Sequence, residues 1–219
     1  MAAARVARLD IEQVMSAAEQ LVTDRGWDSL TMAALAAELG VRPPSLYRHV
    51  DSLDALRYAL RMRSLTELAD EARGAVMGKS GIDGLRALCN AYRAYAQRHP
   101  ERYLAQMRLP GDEATRAAGR RLGEAGYAVL TSFGLSDDEL PVATAQLAAL
   151  LHGFASLELA QTIDWVTDAD AAFDSLVDLF AAGLVNRLSA GGEPAPAALS
   201  AQSGRSAKQP TTRRKERRS

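Results

Sequence analysis

The sequence predicts an all-α fold of about nine helices in two parts. Three observations predict it. Ala and Leu dominate while aromatic residues make up 5% of the 219 residues, a balance that favours helices over strands. Apolar residues recur at spacings of three and four along most of the chain, and no segment sustains the alternation of a strand. Proline and glycine fall mainly between the periodic stretches, where they end helices.

The first helix is expected over roughly 10–25, because Ile11, Val14, Met15, Ala18, Leu21 and Val22 share one stripe. Gly26 stops it. Thr31 caps a short second helix that ends at Gly40, with Leu35, Ala36 and Leu39 facing inward. Pro43 and Pro44 open a third helix that ends near Val50. Proline is tolerated there because first-turn N–H groups lack helical acceptors. Asp51 or Ser52 caps a fourth helix that runs to about Val76. Glycines at 74, 78, 81 and 84 then mark a boundary. Further helices are expected over roughly 83–98, 100–109, 112–133, 137–163 and 168–189, separated by Pro100, residues 110–111, Gly134 and residues 164–167. From about 190 onward small residues, proline and charge leave little to bury, so a disordered tail is expected.

Hydrophobic residues make up 47% and charged residues 24%, the balance of an ordinary soluble chain. The net charge of −1 is uneven. Residues 205–219 carry seven basic residues and one acid, which leaves −7 on the rest. That tail is either a solvated, solubilising end or a source of weak attraction to phosphate. The single cysteine, Cys89, excludes an intrachain disulfide and reads as a small buried hydrophobe. The N-terminus lacks the apolar core of a signal peptide, and no uninterrupted apolar run of membrane-spanning length is apparent. A soluble cytoplasmic protein with no membrane partner is expected.

The informative stretch is TMAALAAELGVRPPSLYRHVDSLDAL, residues 31–56. Two short helices joined by a tight turn at Gly40 and Val41 make a helix-turn-helix. Val41 plugs the angle between them. Leu46 and Val50 face inward, which leaves Arg42, Ser45, Tyr47, Arg48 and His49 outward. A helix this short cannot stand alone. Its neighbours hold it so that its outer face can enter a DNA major groove. Arg42 and Arg48 are the charged side chains of this element, and arginine can pair bidentately with guanine.

This stretch resembles the tetracycline-repressor (TetR) family of bacterial regulators. The likeness covers the first sixty or so residues: an amphipathic helix, then GWDSLT, the AxxLGV turn and SLYRHV. The resemblance implies that Thr31 binds phosphate as the cap of the second helix. It implies that Ser45 and Tyr47 contact DNA, Tyr47 at a phosphate, and that His49 approaches the backbone. The candidate DNA-binding residues are therefore Thr31, Arg42, Pro43, Ser45, Tyr47, Arg48 and His49. Two positions depart from many relatives: Ala33 and Leu53 stand where basic or polar backbone contacts are common. Arg5 and Arg8, in an arm before the first helix, are expected to replace them. Between Arg5 and Arg63 eight arginines balance eight acids, so the grip rests on placed groups rather than on bulk charge.

Residues 77–189 resemble the family's ligand-binding and dimerisation region more loosely. The run 148–160 resembles the subtype named for a Trp-His-Gly motif, although only His152 and Gly153 of that triplet are present. The run RHPERYLAQM, 98–107, resembles that subtype's break between two helices. The expected division is an arm at 1–9, a DNA-binding domain at 10–56, a ligand-binding and dimerisation domain at 57–189, and a basic tail at 190–219.

Small residues on one helix and a broad apolar face on the next suit a four-helix dimer bundle. The candidate dimer residues are Ala145, Ala149, Gly153, Ser156, Phe173, Leu176 and Phe180. Tyr92, Tyr95, Tyr103, Met107, Tyr127, Phe133, His152 and Trp165 are the polarisable or aromatic candidates for a ligand pocket. His152 serves equally well as a hydrogen-bonding residue at a dimer interface. No metal-ligand spacing, phosphate loop or nucleophile turn is present, so no enzyme and no cofactor is expected. The resemblance implies a homodimer on a palindromic double-stranded operator, a repressor released by a small molecule, with the fourth helix as the mechanical link. The alternatives are an activator and a helical interaction module that does not bind DNA.

Overall fold

A computed structural model describes residues 9–189. The arm with Arg5 and Arg8 and the tail from 190 lie outside the described residues. Nine α-helices occur in order among those described, with no strand. They are α1 (Ile11–Arg25), α2 (Met32–Glu38), α3 (Pro43–Leu46), α4 (Leu53–Val76), α5 (Gly81–Arg98), α6 (Pro100–Gln106), α7 (Glu113–Thr131), α8 (Glu139–Leu159) and α9 (Ala169–Ser189). A 3₁₀ turn, Trp27–Ser29, lies between α1 and α2.

Local chemistry sets the N-terminal elements. The Asp10 side chain accepts from Gln13 N at 2.8 Å, and Gln13 Oε1 accepts from Asp10 N at 3.0 Å. This reciprocal capping box satisfies two N–H groups that the helix cannot. Thr31 Oγ1 accepts from Ala34 N and starts α2. The α2 end is a Schellman closure: Gly40 N–H returns to Ala37 O at 3.2 Å and Val41 N–H to Ala36 O at 2.9 Å. It needs φ +64° at Gly40, a left-handed conformation that favours glycine.

The helix α3 is a single turn, shorter than expected. Pro43 and Pro44 donate no N–H. After Leu46 the chain continues as turns, with His49 N–H and Val50 N–H both returning to Leu46 O. The element keeps its expected inner face, because Leu46 and Val50 are buried.

Two apolar cores stack along α4. The first joins Val14, Ala18, Leu21, Val22, Leu30, Leu35 and Leu46 to Leu56 and Leu60 of α4 and Ala105 of α6. The second contains Leu68 and Ala72 of α4 with Leu85, Tyr95, Tyr103, Leu130, Leu147, Phe173 and Leu184. The expected domain limit at residue 56 thus falls inside one unbroken helix that serves both cores. Arg57 donates to Leu30 O at 3.1 Å, and the Arg61 guanidinium sits 4.9 Å from the Trp27 ring centre. Both tie α4 to the α1–α2 connection.

Among the described residues α8 alone is long and apolar enough to cross a membrane by length and composition. Its best window has mean hydropathy 1.4, yet only 28% of it is buried. The helix is not an uninterrupted apolar run, because Thr144, Gln146, His152 and Ser156 break it. The buried face is Leu140, Ala143, Leu147, Leu151 and Ala155.

Candidate functional site

The outer surface of the helix-turn-helix presents its groups as expected. Thr31, Arg42, Pro43, Tyr47 and Arg48 are exposed, and Ser45 and His49 are half-buried. Tyr47 is 55% exposed although it is aromatic. Arg42 and Arg48 form no ion pair among the described residues, so both guanidinium groups are free for an anion. Of the two departures, Ala33 is exposed, whereas Leu53 packs against the first core. Leu53 is thus a structural residue of the α4 start.

The second site is a cavity of about 420 Å³ in the C-terminal part. Leu88 and Tyr92 of α5, Met107 after α6, Leu122 of α7, and Leu147, Leu151 and His152 of α8 contribute side chains to its wall. Thr144, Ala148 and Ala149 of α8 and three glycines of α7, Gly119, Gly123 and Gly126, complete it. The glycines recur at spacings of four and three, so they share one helix face. A Cβ at Gly119 or Gly123 would meet nothing within 4 Å. The floor, with Gly126, Leu147 and Leu151, is buried, while Gly119, Ala148 and Ala149 are exposed at the mouth.

Of the ligand candidates, Tyr92, Met107 and His152 line this cavity. The others do not. Tyr95 is fully buried against α4, where its hydroxyl pairs with Ser64 Oγ at 2.9 Å. Tyr103 lies behind the wall, with its hydroxyl 2.7 Å from His152 Nδ1. Phe133 is core. Tyr127 points outward from α7, and Trp165 is 74% exposed between α8 and α9. The glycine face of α7 was not anticipated. Its signal is three glycines at helical spacing inside a helix with no turn to make.

Burial also sorts the dimer candidates. Phe173 is 1% exposed and packs on Phe154 at 5.0 Å between ring centres, so it serves this chain's own core. Leu176 and Phe180 are half-buried. On α8, Ala145 and Ala149 are exposed and Gly153 and Ser156 half-buried, on a stripe with exposed Val142 and Leu157. Ala149 also borders the cavity. Cys89 is buried, and desolvation pushes its thiol up to about 12, so it behaves as an inert hydrophobe.

The two sites are joined by α6. Arg102 is buried and pairs with Glu19 of α1 at 3.3 Å and Glu67 of α4 at 3.2 Å. Arg63 of α4 reaches the same Glu19 at 3.1 Å and Glu12 at 2.5 Å. Burial raises the pKa of Glu19, opposed by the Arg63 and Arg102 charges. The next residue, Tyr103, contacts His152 at the cavity wall. Neighbouring residues on one short helix thus contact the His152 wall of the cavity and the first helix of the DNA-binding unit.

A family model for bacterial regulatory proteins of the tetR family matches residues 14–60, and one for a tetracyclin repressor-like C-terminal domain matches residues 85–180. An uncharacterised HTH-type transcriptional regulator of Mycobacterium tuberculosis is 39% identical over 192 residues, covering 86% of this chain and 88% of that one. The chain belongs to the TetR family. Two solved structures share its fold. BioQ with its natural double-stranded DNA operator aligns with TM-score 0.59 and 24% identity, over 81% of this chain and 98% of that one. A TetR variant from Acinetobacter baumannii in complex with minocycline aligns with TM-score 0.62 and 25% identity, over 82% and 98%. As a TetR-family member the chain is a DNA-binding transcriptional regulator and not an enzyme.

Proposed function

We propose that this TetR-family regulator is a cytoplasmic, homodimeric repressor that a small molecule releases from a palindromic operator. The observation that carries the reading is the α6 connection. Tyr103 meets His152 at the cavity while Arg102 holds Glu19 of α1 and Glu67 of α4. A ligand that displaces the His152 wall acts on α6, and α6 acts on both helices that orient the recognition element. Coupling requires that the ligand bind the two arrangements with different affinity.

Operator contact is assigned to Thr31, Arg42, Pro43, Ser45, Tyr47, Arg48 and His49. Two recognition elements then address successive major grooves about 34 Å apart. The exposed α8 stripe supports dimerisation through α8 and α9, because a helix this apolar needs a second surface to cover it. His152 and Gly153 support placing the C-terminal part with the Trp-His-Gly subtype. The bound operator of BioQ and the minocycline of the Acinetobacter protein are consistent with both kinds of partner.

The test is a gel shift of the full chain against the DNA that flanks its own gene. Retention at low salt, lost as salt rises, supports the reading. An inter-subunit crosslink that fixes the ligand-bound spacing abolishes retention if the coupling is correct. Retention by the crosslinked form contradicts it.

A further inference from the structure

The cavity holds enough chemical detail to specify its occupant. We propose that it takes a small, neutral, mainly apolar molecule bearing one hydrogen-bond acceptor, which His152 Nε2–H meets. This rests on the ligand-responsive reading above and names the class of ligand.

At about 420 Å³ the cavity has the size of a small-molecule site. No Asp, Glu, Lys or Arg lines it. An ionised ligand would lose its hydration there and gain no counter-charge, which excludes it as the preferred occupant. Apart from Tyr92, Met107, Thr144 and His152 the wall is aliphatic side chain and bare helix. Gly119 and Gly123 make neither a turn nor a close helix contact, since a Cβ at either meets nothing within 4 Å. Alanine is the better helix former at such positions. What the glycines leave is width beside α7 for a flat apolar body.

The polar groups at the wall are nearly spent. Thr144 Oγ1 donates to Leu140 O at 2.8 Å. The Tyr92 hydroxyl is 3.2 Å from that of Tyr103. Tyr103 also lies 2.7 Å from His152 Nδ1. Tyr103 has one proton and two lone pairs. Tyr103 is the hydrogen-bond partner of the Tyr92 hydroxyl at this wall, so we assign the Tyr92 proton to Tyr103, which leaves Nδ1 as the acceptor for Tyr103's own proton. Nδ1 then carries no proton, and the neutral ring is protonated at Nε2. Burial holds the ring neutral by lowering its pKa. Nε2–H is the remaining donor at the wall and asks for a carbonyl or similar acceptor.

The test uses three naphthalenes of similar size, titrated calorimetrically into the full chain. They are 2-acetylnaphthalene, 2-ethylnaphthalene and 2-naphthoate. The ketone is expected to bind one per chain. The ethyl compound leaves Nε2–H unpaired and is expected to bind at least about fivefold more weakly. The naphthoate is expected to bind weakest. His152→Leu should erase the preference for ketone over ethyl. Gly123→Leu and Gly119→Leu should each remove binding, with melting temperatures at or above wild type to show that they fold. Four outcomes overturn the proposal: tightest binding by the naphthoate, equal binding of ketone and ethyl compound, no binding by any of the three, or wild-type binding by both folded glycine variants. Release of operator DNA is measured separately. Ketone binding without release leaves the ligand class standing and contradicts the regulatory coupling.

Discussion

Glycine has opposite uses in the two halves of the molecule. In the DNA-binding half, Gly26 and Gly40 stand at φ +81° and +64°. Each ends a helix where a Cβ would strain the backbone, and each fixes the angle to the next element. In α7, Gly119, Gly123 and Gly126 lie inside a regular helix and face the cavity. They set no angle. They withhold volume where the rest of the core is filled. The first half is built to hold one shape, and the second gives up packing and leaves a cavity beside α7.

The contrast is broken most directly by one substitution made on both sides. Leu35→Ala, at a fully buried position of the first core, is expected to cost about 2–5 kcal/mol. Leu122→Ala, at a half-buried position beside the existing cavity, should cost less than half as much, because little new void is created. Chemical denaturation of both variants checks the ratio, and equal losses would deny the difference in packing.

The glycines themselves sharpen it, with opposite signs. Gly40→Ala places a Cβ in the left-handed region and should lose about 1–2 kcal/mol. Gly123→Ala enters open space within a helix and should gain about 0.5–1 kcal/mol. Melting temperatures that fall for both, or rise for both, reject the division.

The smallest expected effect is in pH. Burial lowers the pKa of His152, and burial with the nearby Arg102 and Arg98 charges lowers that of His99. A depressed folded-state pKa gives stability that is present above the unfolded value near 6.5 and lost as pH falls through the folded value. The melting temperature should therefore fall in the acid range below about pH 6.5, and less steeply in His152→Gln. An identical slope in that variant removes His152 from the account.

Much of the first half was legible because its signals are local. Gly40 with Val41, the Thr31 cap and the inward Leu46 and Val50 follow from positions a few residues apart. The short α3 was not, because the chain closes after Leu46 in turns, with the His49 and Val50 N–H groups sharing the Leu46 carbonyl. The second half depends on which helices meet. Tyr95 and Tyr92 lie three residues apart on one helix, yet Ser64 of α4 takes the Tyr95 hydroxyl and only Tyr92 reaches the cavity. Phe173 suited a dimer face by spacing, but Phe154 claims it for the core. Aromatic residues drew attention to themselves, while the cavity is framed by residues that have no side chain. The Arg102–Glu19 pair spans more than eighty residues of sequence and leaves no local mark.

The most direct test of the account is fluorescence anisotropy of the full chain on the DNA flanking its own gene, with Arg42→Ala and Arg48→Ala beside the wild type. The account predicts wild-type binding at about 50 mM salt that weakens steeply as salt rises. Each arginine variant should lose about 1–3 kcal/mol of affinity if its guanidinium reads a base, and should lower the salt slope if it holds a phosphate. Absence of wild-type binding at low salt, or variants that bind as wild type with the same slope, would contradict it.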